Sequence, residues 1–313
     1  MELPFVVRAL RLEAVDVMSV ELVPEDAGAV IPDWGPGAHV DLTVGDGSTR
    51  QYSLCGVPGA STWRIAVLRE SAGRGGSAWV HDQLRPGHTV RLRGPRNHFA
   101  LEPAPGYLFL AGGIGITPLL PMLAEAVRRD VAGQLHYFGR SRRQMAFLDQ
   151  LTPYGDRVRV HPETDGPQPA LRTLLVGLAP ETLIYACGPA GMLDALRAAA
   201  AEAGCLDRLR TELFAAPVAA QPQPGGAFTV RLEQRGLELP VPADRSVLDV
   251  LLDAGVEIVN DCQEGICGSC ETRVLAGAID HRDHILTPQE RSAGDCMMVC
   301  VSRAVGDRLV LDL

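Results

Sequence analysis

The sequence contains no lysine, so all 29 of its cationic side chains are arginines. A Walker A phosphate-binding loop requires a lysine, and this class of nucleotide site is therefore excluded. The formal net charge is −9, whereas nucleic-acid binding depends on an excess of basic residues, so we expect no nucleic-acid partner. Any cationic contact to a phosphate group must come from arginine, whose planar guanidinium can bind two oxygens at once.

Long apolar runs and targeting segments are also missing. Residues 1–5 lack a basic region followed by an apolar one, so we expect no export signal and a cytoplasmic location. The uncharged stretch at 103–124 is interrupted by glycines and prolines, which argues against a membrane span. It is better explained as a buried strand that passes through a glycine turn into a helix.

The cysteines carry the most specific pattern. Three of them follow a C-x4-C-x2-C spacing with one more cysteine downstream, which is the plant-type pattern for a [2Fe–2S] cluster. The predicted ligands are Cys262, Cys267, Cys270 and Cys300. The small residues Gly265, Gly268 and Ser269 would let the loop direct backbone N–H groups at a cluster.

Other interpretations of these cysteines are weaker. A structural zinc site usually has a second C-x2-C pair or histidines at a set spacing, and His281 and His284 do not provide this. A disulfide framework is typical of short secreted chains. Cys296 competes as the fourth ligand, but the apolar run 297–301 predicts a buried strand that would deliver Cys300 from the core. We interpret Cys55, Cys187, Cys205 and Cys296 as small buried residues.

Two composition changes divide the chain. The uncharged, proline-rich segment 215–226 is typical of a linker, and a second break falls at 102–106. The predicted domains are residues 1–103, residues 104–215, a linker at 216–226, and residues 227–313. Six short β-rich runs in the first predict an antiparallel barrel. Strands alternating with helices in the second predict a parallel sheet. The third begins with two strands and a helix capped by Ser246, with Asp249 three residues later.

The acidic charge is concentrated in the last of these segments. Residues 227–313 contain 8 arginines against 15 acidic residues. This distribution would steer the segment toward a basic surface on a protein partner, although an ordinary solvated acidic surface explains it about as well.

Two strand ends of the parallel sheet are candidates for a nucleotide site. Gly112 to Pro118 joins a strand to a helix, and the N–H groups of a helix N-terminus bind pyrophosphate. Cys187-Gly188-Pro189 ends the fourth strand, so the two turns would flank one nicotinamide. Each turn by itself is also explained by packing alone.

The first segment holds candidates for a flavin site. Arg50, Tyr52 and Ser53 lie on a predicted strand, and the run Arg74-Gly75-Gly76-Ser77 opens a predicted helix. An arginine and a glycine-rich helix start can bind a phosphate monoester. Tyr52 can cover a ring face and Ser53 can donate to a ring nitrogen. A surface turn and a core tyrosine are the simpler explanation of each element alone.

Together these motifs resemble the phthalate dioxygenase reductase family of the ferredoxin–NADP reductase superfamily, over essentially the whole chain. The matching stretches are 50–54, 73–77, 112–118, 187–189 and the four cysteines. The resemblance implies an antiparallel β-barrel flavin domain, an α/β nicotinamide domain and an α+β (β-grasp) ferredoxin domain.

The resemblance also implies roles for particular residues. FMN, rather than FAD, would lie against Tyr52 and Ser53, and its phosphate would be bound by Arg50, Arg74, Gly75, Gly76 and Ser77. The nicotinamide dinucleotide would be lined by Gly113, Thr117, Arg140, Ser141, Cys187 and Gly188. Phe214, from the stretch Glu212-Leu213-Phe214, would place an aromatic ring at the flavin. The residues assigned to the catalytic centre are Ser53, Cys187 and Phe214.

The coenzyme preference is open at this point. The turn Gly139-Arg140-Ser141-Arg142-Arg143 has no acidic residue to bind ribose hydroxyls, and its arginines could pair with a 2′-phosphate. The family resemblance points to NADH, whereas the local charge leaves NADPH open.

The predicted activity is that of a reductase component of a multicomponent oxygenase. NADH would supply electrons through FMN and the [2Fe–2S] cluster to a Rieske-type aromatic dioxygenase, monooxygenase or O-demethylase. Hydride transfer to a flavin depends mainly on placement, so no general acid or base is required. A cytochrome P450 is the alternative acceptor. A redox sensor without sustained turnover and a reductase that releases free flavin are alternatives of other kinds, and the four cysteines argue against the latter. We expect a monomer with no membrane partner.

Overall fold

The computed structural model describes residues 2–71, 75–214 and 226–313. Arg74 lies outside the described residues, as does the predicted linker except for Gly226. The chain divides into two compact units, residues 1–214 and 215–313.

The first unit begins with a six-stranded antiparallel sheet in the order β4-β3-β6-β1-β2-β5. Its strands are β1 (Glu2–Ala14), β2 (Val17–Pro24), β3 (His39–Thr43), β4 (Thr49–Ser53), β5 (Trp63–Leu68) and β6 (Thr89–Arg96). A bridge between Leu54 and Ile65 joins the two edges of the sheet, as the predicted barrel requires. Its core includes Phe5 stacked on Trp63, with ring centroids 4.6 Å apart. The helix α1 (Gly76–Gln83) lies between β5 and β6.

The rest of the first unit is a five-stranded parallel sheet in the order β11-β10-β7-β8-β9. Its strands are β7 (Gly106–Gly112), β8 (Ala132–Gly139), β9 (Val158–Pro162), β10 (Thr182–Cys187) and β11 (Leu209–Glu212). Its helices are α2 (Ile116–Arg128), α3 (Leu148–Leu151), α4 (Leu171–Leu174) and α5 (Ala190–Glu202). Every residue of β7 is buried, as expected for a central strand covered on both faces.

The uncharged stretch at 103–124 is therefore the strand, glycine turn and helix that the sequence predicts. No helix in the described ranges combines the length and the apolar character that a transmembrane span needs.

The second unit is built around a five-stranded mixed sheet in the order β13-β12-β18-β14-β16. Its strands are β12 (Phe228–Leu232), β13 (Leu237–Val241), β14 (Glu271–Ala276), β15 (Ile279–Asp280), β16 (Cys296–Met298), β17 (Arg303–Ala304) and β18 (Arg308–Leu311). Its helices are α6 (Val247–Asp253) and α7 (Pro288–Ala293). The predicted cap of α6 is present: Asp249 N–H donates to Ser246 Oγ at 3.0 Å, and Ser246 N–H donates back to Asp249 Oδ2 at 3.1 Å.

One predicted strand is shorter than expected. The buried run ends as a strand at Met298, and Cys300 lies in the turn that follows. The N–H groups of Val301 and Ser302 both donate to Met298 O, at 3.2 and 2.9 Å, which turns the chain away from the sheet. Cys300 is still buried, with 8% of its surface exposed. The interpretation of this run as a strand through Cys300 was wrong, but its burial was predicted correctly.

The fold class predicted from the sequence is confirmed, with a closed antiparallel barrel, a parallel α/β sheet and a smaller mixed α+β unit. The two sheets of the first unit share a core that includes Cys55 and Ala66 of the barrel, Ile116 of α2 and Cys187 of β10. Strand β5 of the barrel is thereby brought close to the glycine turn after β7.

Candidate functional site

A cradle for an anionic group forms where β4 meets the start of α1. Gly75 has a left-handed backbone with φ of 85° and caps α1. A Cβ added to Gly76 would lie 2.7 Å from both Cγ and Nε of Arg50, so the arginine side chain runs directly over the first helical residue. The N–H groups of a first helical turn have no partner within the helix. A guanidinium and a helix N-terminus therefore converge at one point, as a phosphate site requires.

Arg50 and Ser77, two of the residues predicted to bind the phosphate, also form hydrogen bonds within the protein. Arg50 Nη1 donates to Thr49 O at 2.8 Å, which fixes part of its side chain. Ser77 Oγ accepts a hydrogen bond from Glu70 N–H at 3.0 Å, so this hydroxyl keeps its own proton available for donation.

Tyr52 and Ser53 follow Arg50 on the same strand. Tyr52 packs against the barrel core, and burial raises the pKa of its phenol to about 12, so it stays neutral. Ser53 is 4% exposed and lies opposite His39 in the β3–β4 pair. A neutral aromatic ring and a hydroxyl donor at the end of β4 are groups that fit a flavin ring.

The parallel sheet contains one topological switch point, between its neighbouring strands β7 and β10. The chain runs from β7 to β8 and β9 on one side, and to β10 and β11 on the other. Ligands of open α/β sheets bind in the crevice beyond such a point. The two predicted glycine turns, 112–115 and 187–189, lie at the carboxyl ends of these two strands.

The two turns touch through their backbones. A Cβ added to Gly115 would overlap the carbonyl oxygen of Cys187, and one added to Gly188 would lie 3.0 Å from Cα of Gly112. Gly113 has a left-handed backbone with φ of 55°, and a Cβ there would meet nothing within 4 Å. Glycine therefore serves close packing at 112, 115 and 188, and leaves open space at 113.

Thr117 and Cys187 are almost completely buried. Thr117 is 1% exposed, and its Oγ1 donates to Ile114 O at 3.0 Å, which closes the glycine turn. Cys187 is 0% exposed, and burial raises the pKa of its thiol well above the usual range. Cys187 is therefore an uncharged thiol at the floor of the crevice.

The structure adds one acidic residue that was not among the predicted site residues. Glu212 lies opposite Cys187 in the β10–β11 pair, and burial raises the pKa of its carboxyl to about 8. Among the described residues, its buried Oε2 has no hydrogen-bond partner. Buried unpaired carboxyls are rare and commonly functional. Only its place two residues before Phe214 pointed to it in the sequence.

The remaining predicted residues of the first unit lie nearer the surface. Phe214 follows β11 and is 43% exposed. Arg140 is exposed, and Ser141 Oγ donates to Gln144 Oε1 at 3.0 Å, in the turn after β8.

The four predicted thiolates of the second unit are all buried. Their exposed fractions are 8% for Cys262, 2% for Cys267, 3% for Cys270 and 8% for Cys300. They form two pairs: the thiol of Cys262 lowers the pKa of Cys267 by hydrogen bonding, and the thiol of Cys300 does the same to Cys270. Over the described part of the chain, no three His, Cys, Asp or Glu side chains are arranged around a single metal ion. Two pairs of thiols fit a two-iron cluster better than a mononuclear zinc site.

The loop that carries the thiols is shaped for close approach of its backbone. Gly265 and Gly268 have φ of 69° and 73°, a conformation that favours glycine. A Cβ on Gly265 would lie 2.6 Å from Cγ2 of Val301. Glu264 N–H donates to the sulfur of Cys262 at 3.3 Å. The donor set and the loop therefore fit a [2Fe–2S] cluster.

Comparisons with known proteins agree with this geometry. Residues 230–305 match the family described as the 2Fe-2S iron-sulfur cluster binding domain. The chain is 42% identical over 314 residues to phenoxybenzoate dioxygenase subunit beta from Ectopseudomonas oleovorans, covering 98% of this chain and 96% of that protein. It is also similar to the solved structure of phthalate dioxygenase reductase, with a TM-score of 0.72, 35% identity, and coverage of 100% and 98% of the two chains. The chain belongs to the phthalate dioxygenase reductase family.

The family predicted from the sequence is confirmed. Members of the phthalate dioxygenase reductase family are oxidoreductases that work with an oxygenase. The solved phthalate dioxygenase reductase is described as a modular structure for electron transfer from pyridine nucleotides to [2Fe–2S]. A second similar structure is an intact type IV self-sufficient cytochrome P450 monooxygenase, with a TM-score of 0.94 and 43% identity. This chain is covered completely in that comparison but spans only 41% of the P450 chain.

Proposed function

We propose that this chain is the NADH-dependent reductase component of a multicomponent oxygenase, and that it transfers electrons through FMN and a [2Fe–2S] cluster. One observation carries the proposal: two pairs of buried thiols occur on the same chain as a parallel sheet whose switch point offers a crevice for a nucleotide. The chemistry that a bound FMN would supply is acceptance of a hydride and release of electrons one at a time, and a bound cluster would supply one-electron transfer.

The barrel residues would bind and orient the flavin. Arg50 and the N-terminus of α1 would neutralise its phosphate, together with Arg74 and Ser77. Tyr52 would cover one face of the ring, while Ser53 would donate a hydrogen bond to a ring nitrogen. Rigid placement of this kind is what hydride transfer requires.

The parallel-sheet residues would hold the coenzyme. Gly113 leaves room for the dinucleotide, and Thr117 keeps the glycine turn in shape. Cys187 and Gly188 would form the crevice floor under the nicotinamide, and Phe214 would contact the flavin. We propose Ser53, Cys187 and Phe214 as the residues at the reacting atoms, with Glu212 beside them.

The second unit would hold the cluster through Cys262, Cys267, Cys270 and Cys300. Their burial excludes water from the sulfur atoms, and the loop directs backbone N–H groups at them. The proposed domains are residues 1–103, 104–215 and 227–313, with a linker at 216–226. A monomer in the cytoplasm is part of the same proposal.

The test is an anaerobic titration of the purified protein with NADH, followed by visible absorbance and low-temperature EPR. We expect bleaching of both chromophores and a rhombic spin-half signal. In the Cys300→Ser variant, the flavin should still bleach while the EPR signal disappears. Flavin bleaching in the native chain without an iron signal would contradict the proposal.

The acceptor is the second point to test. We propose a Rieske-type aromatic dioxygenase, monooxygenase or O-demethylase, supported by the similarity to the phenoxybenzoate dioxygenase subunit. The 43% identity to the self-sufficient P450 structure favours a cytochrome P450 as a second candidate. Rates of reduction of a Rieske oxygenase and of a P450 haem domain by the same preparation would distinguish the two. A redox sensor would show no sustained reduction of cytochrome c.

A further inference from the structure

The turn after β8 is joined to the turn after β9. The two strands are parallel neighbours, with Gly139 paired to Pro162 at their carboxyl ends. Gln168 Nε2 donates to Gly139 O at 3.3 Å, and Thr164 N–H donates to Arg140 O at 3.3 Å. The loop after β9 is therefore fixed against the arginine-rich turn by backbone as well as side-chain contacts.

This arrangement supplies the acidic residue that the arginine-rich turn lacks. Arg142 Nε lies 2.9 Å from Asp165 Oδ2, in an ion pair between residues 23 positions apart. The two side chains are 59% and 47% exposed, so a ligand at this edge of the sheet can reach both. The turn itself has arginines but no acidic residue, because the carboxylate comes from the loop after β9.

The position of the pair gives it a chemical meaning. In nucleotide-binding α/β sheets, an acidic residue after the second strand binds the ribose hydroxyls of NAD, whereas an arginine there accommodates the 2′-phosphate of NADP. Strand β8 is the second strand of this sheet in chain order, and the glycine turn follows the first. Arg142 can bind a 2′-phosphate and Asp165 can bind ribose hydroxyls. The two residues thus place both kinds of recognition group where NAD and NADP differ.

We propose that Asp165 determines coenzyme selectivity by holding Arg142. When the Asp165 carboxylate is present, it neutralises the Arg142 guanidinium and accepts hydrogen bonds from the ribose hydroxyls. The same carboxylate repels a 2′-phosphate, because both are negatively charged. Without it, Arg142 is released to bind a 2′-phosphate. This inference rests on the proposed function, and it assigns NADH selectivity to one ion pair.

The test compares Asp165→Asn, Arg142→Gln and the double variant with the native chain. Binding of 2′,5′-ADP and of 5′-AMP is measured by calorimetry, which needs no electron transfer, and kcat/KM is measured for NADPH and NADH. We expect Asp165→Asn to bind 2′,5′-ADP about tenfold more tightly and to raise the NADPH to NADH ratio of kcat/KM by about tenfold or more. Adding Arg142→Gln should remove both gains.

Asp156→Asn is the matched control, because Asp156 forms a similar exposed pair with Arg159, at 3.2 Å, beside the opposite end of β9. Asp156→Asn should change the affinity for 2′,5′-ADP and the NADPH to NADH ratio of kcat/KM by no more than about twofold. Its charge lies at the other end of β9 and is screened by solvent, so it contributes little at the coenzyme. The inference is overturned if Asp165→Asn leaves the ratios unchanged, if the double variant keeps the gain, if Asp156→Asn produces the same shift, or if the native chain prefers NADPH. A chain that neither coenzyme reduces would instead contradict the proposed function.

Discussion

Cys187 and Glu212 are direct neighbours in register on the parallel strands β10 and β11, at the carboxyl edge of the sheet. Burial of Cys187 is the larger cause of the raised pKa of its thiol, and Glu212 raises it further once its carboxyl has ionised at high pH. Burial likewise raises the pKa of Glu212 from 4.5 to about 8. The crevice edge therefore carries two groups that are both uncharged at neutral pH.

The raised pKa of Glu212 predicts a pH-dependent stability of the first unit. The folded state binds this proton more tightly than the unfolded chain does, so the stabilisation is complete below pH 4.5 and is lost as the pH rises to about 8. Relative to Glu212→Gln, the native chain should lose up to about 1.4 kcal/mol of unfolding free energy per pH unit within this window. All three tryptophans lie in the first unit, at positions 34, 63 and 79, so tryptophan fluorescence in urea follows that unit alone. Glu202→Gln serves as the control, because Glu202 is exposed. A difference in unfolding free energy between the native chain and Glu212→Gln that does not change with pH would contradict the prediction.

The sequence predicted the architecture because each element repeats a strong local pattern. Strand β7 is a continuous apolar run ended by glycines, and α6 starts at a serine cap, so these bounds were found within a few residues. Cys300 was assigned to a strand because its neighbours are apolar. Burial alone does not distinguish a strand from the buried turn that the structure has there.

The parts of the site that were missed depend on contacts between distant residues. Asp165 lies in the loop after β9 and Arg142 in the turn after β8, so no local pattern connects them. The unusual state of Glu212 arises from the packing around β11, which the sequence does not display. The predicted glycine turns were recognisable as a motif, but their contact at Gly115 and Cys187 follows from strand order.

Gly76 is predicted to be essential for binding the flavin phosphate. The Cβ of Gly76→Ala would lie 2.7 Å from Arg50 Nε. Because the arginine side chain is flexible and the backbone is not, the side chain would be the part that moves, away from the helix N-terminus. We expect FMN to bind at least about tenfold more weakly, since one charge-assisted contact is lost. Fluorescence titration of the apoprotein with FMN measures this. The control is Gly191→Ala, where a Cβ meets nothing within 4 Å, and equal affinities in the two variants would exclude the proposed role.

The fourth cluster ligand can be identified by comparing two serine variants. Cys300 is 8% exposed and pairs with Cys270, whereas Cys296 is only partly buried, on β16 opposite Arg273. Cys300→Ser should lower the iron content to well under the two irons per chain of a [2Fe–2S] cluster, and Cys296→Ser should leave it unchanged. Iron and acid-labile sulfide analysis gives the result. Loss of iron in Cys296→Ser alone would reverse the assignment.

Arg303 is predicted to stabilise the second unit as a buried cation that binds backbone carbonyls. It is 5% exposed and donates to three of them, Arg245 O at 2.5 Å, Pro242 O at 2.9 Å and Gly226 O at 3.2 Å. Its guanidinium carbon also lies 5.0 Å from the ring centre of Phe228. Arg303→Met would leave those carbonyls without their donor, so we expect a loss of about 3 kcal/mol in the unfolding free energy of this unit.

This unit contains no tryptophan, so its unfolding is followed in urea by the visible absorbance of the iron–sulfur chromophore. Arg308→Gln is the matched control, because Arg308 forms an ion pair with Glu238 in which both side chains are about half exposed. An exposed pair of this kind contributes at most about 1 kcal/mol, so its loss should shift the midpoint only slightly. Arg303→Lys should fall between the two, because an ammonium group retains the charge but not the planar set of donors that reaches three carbonyls. Equal midpoints for Arg303→Met and Arg308→Gln would mean that the buried arginine contributes no more than a surface one.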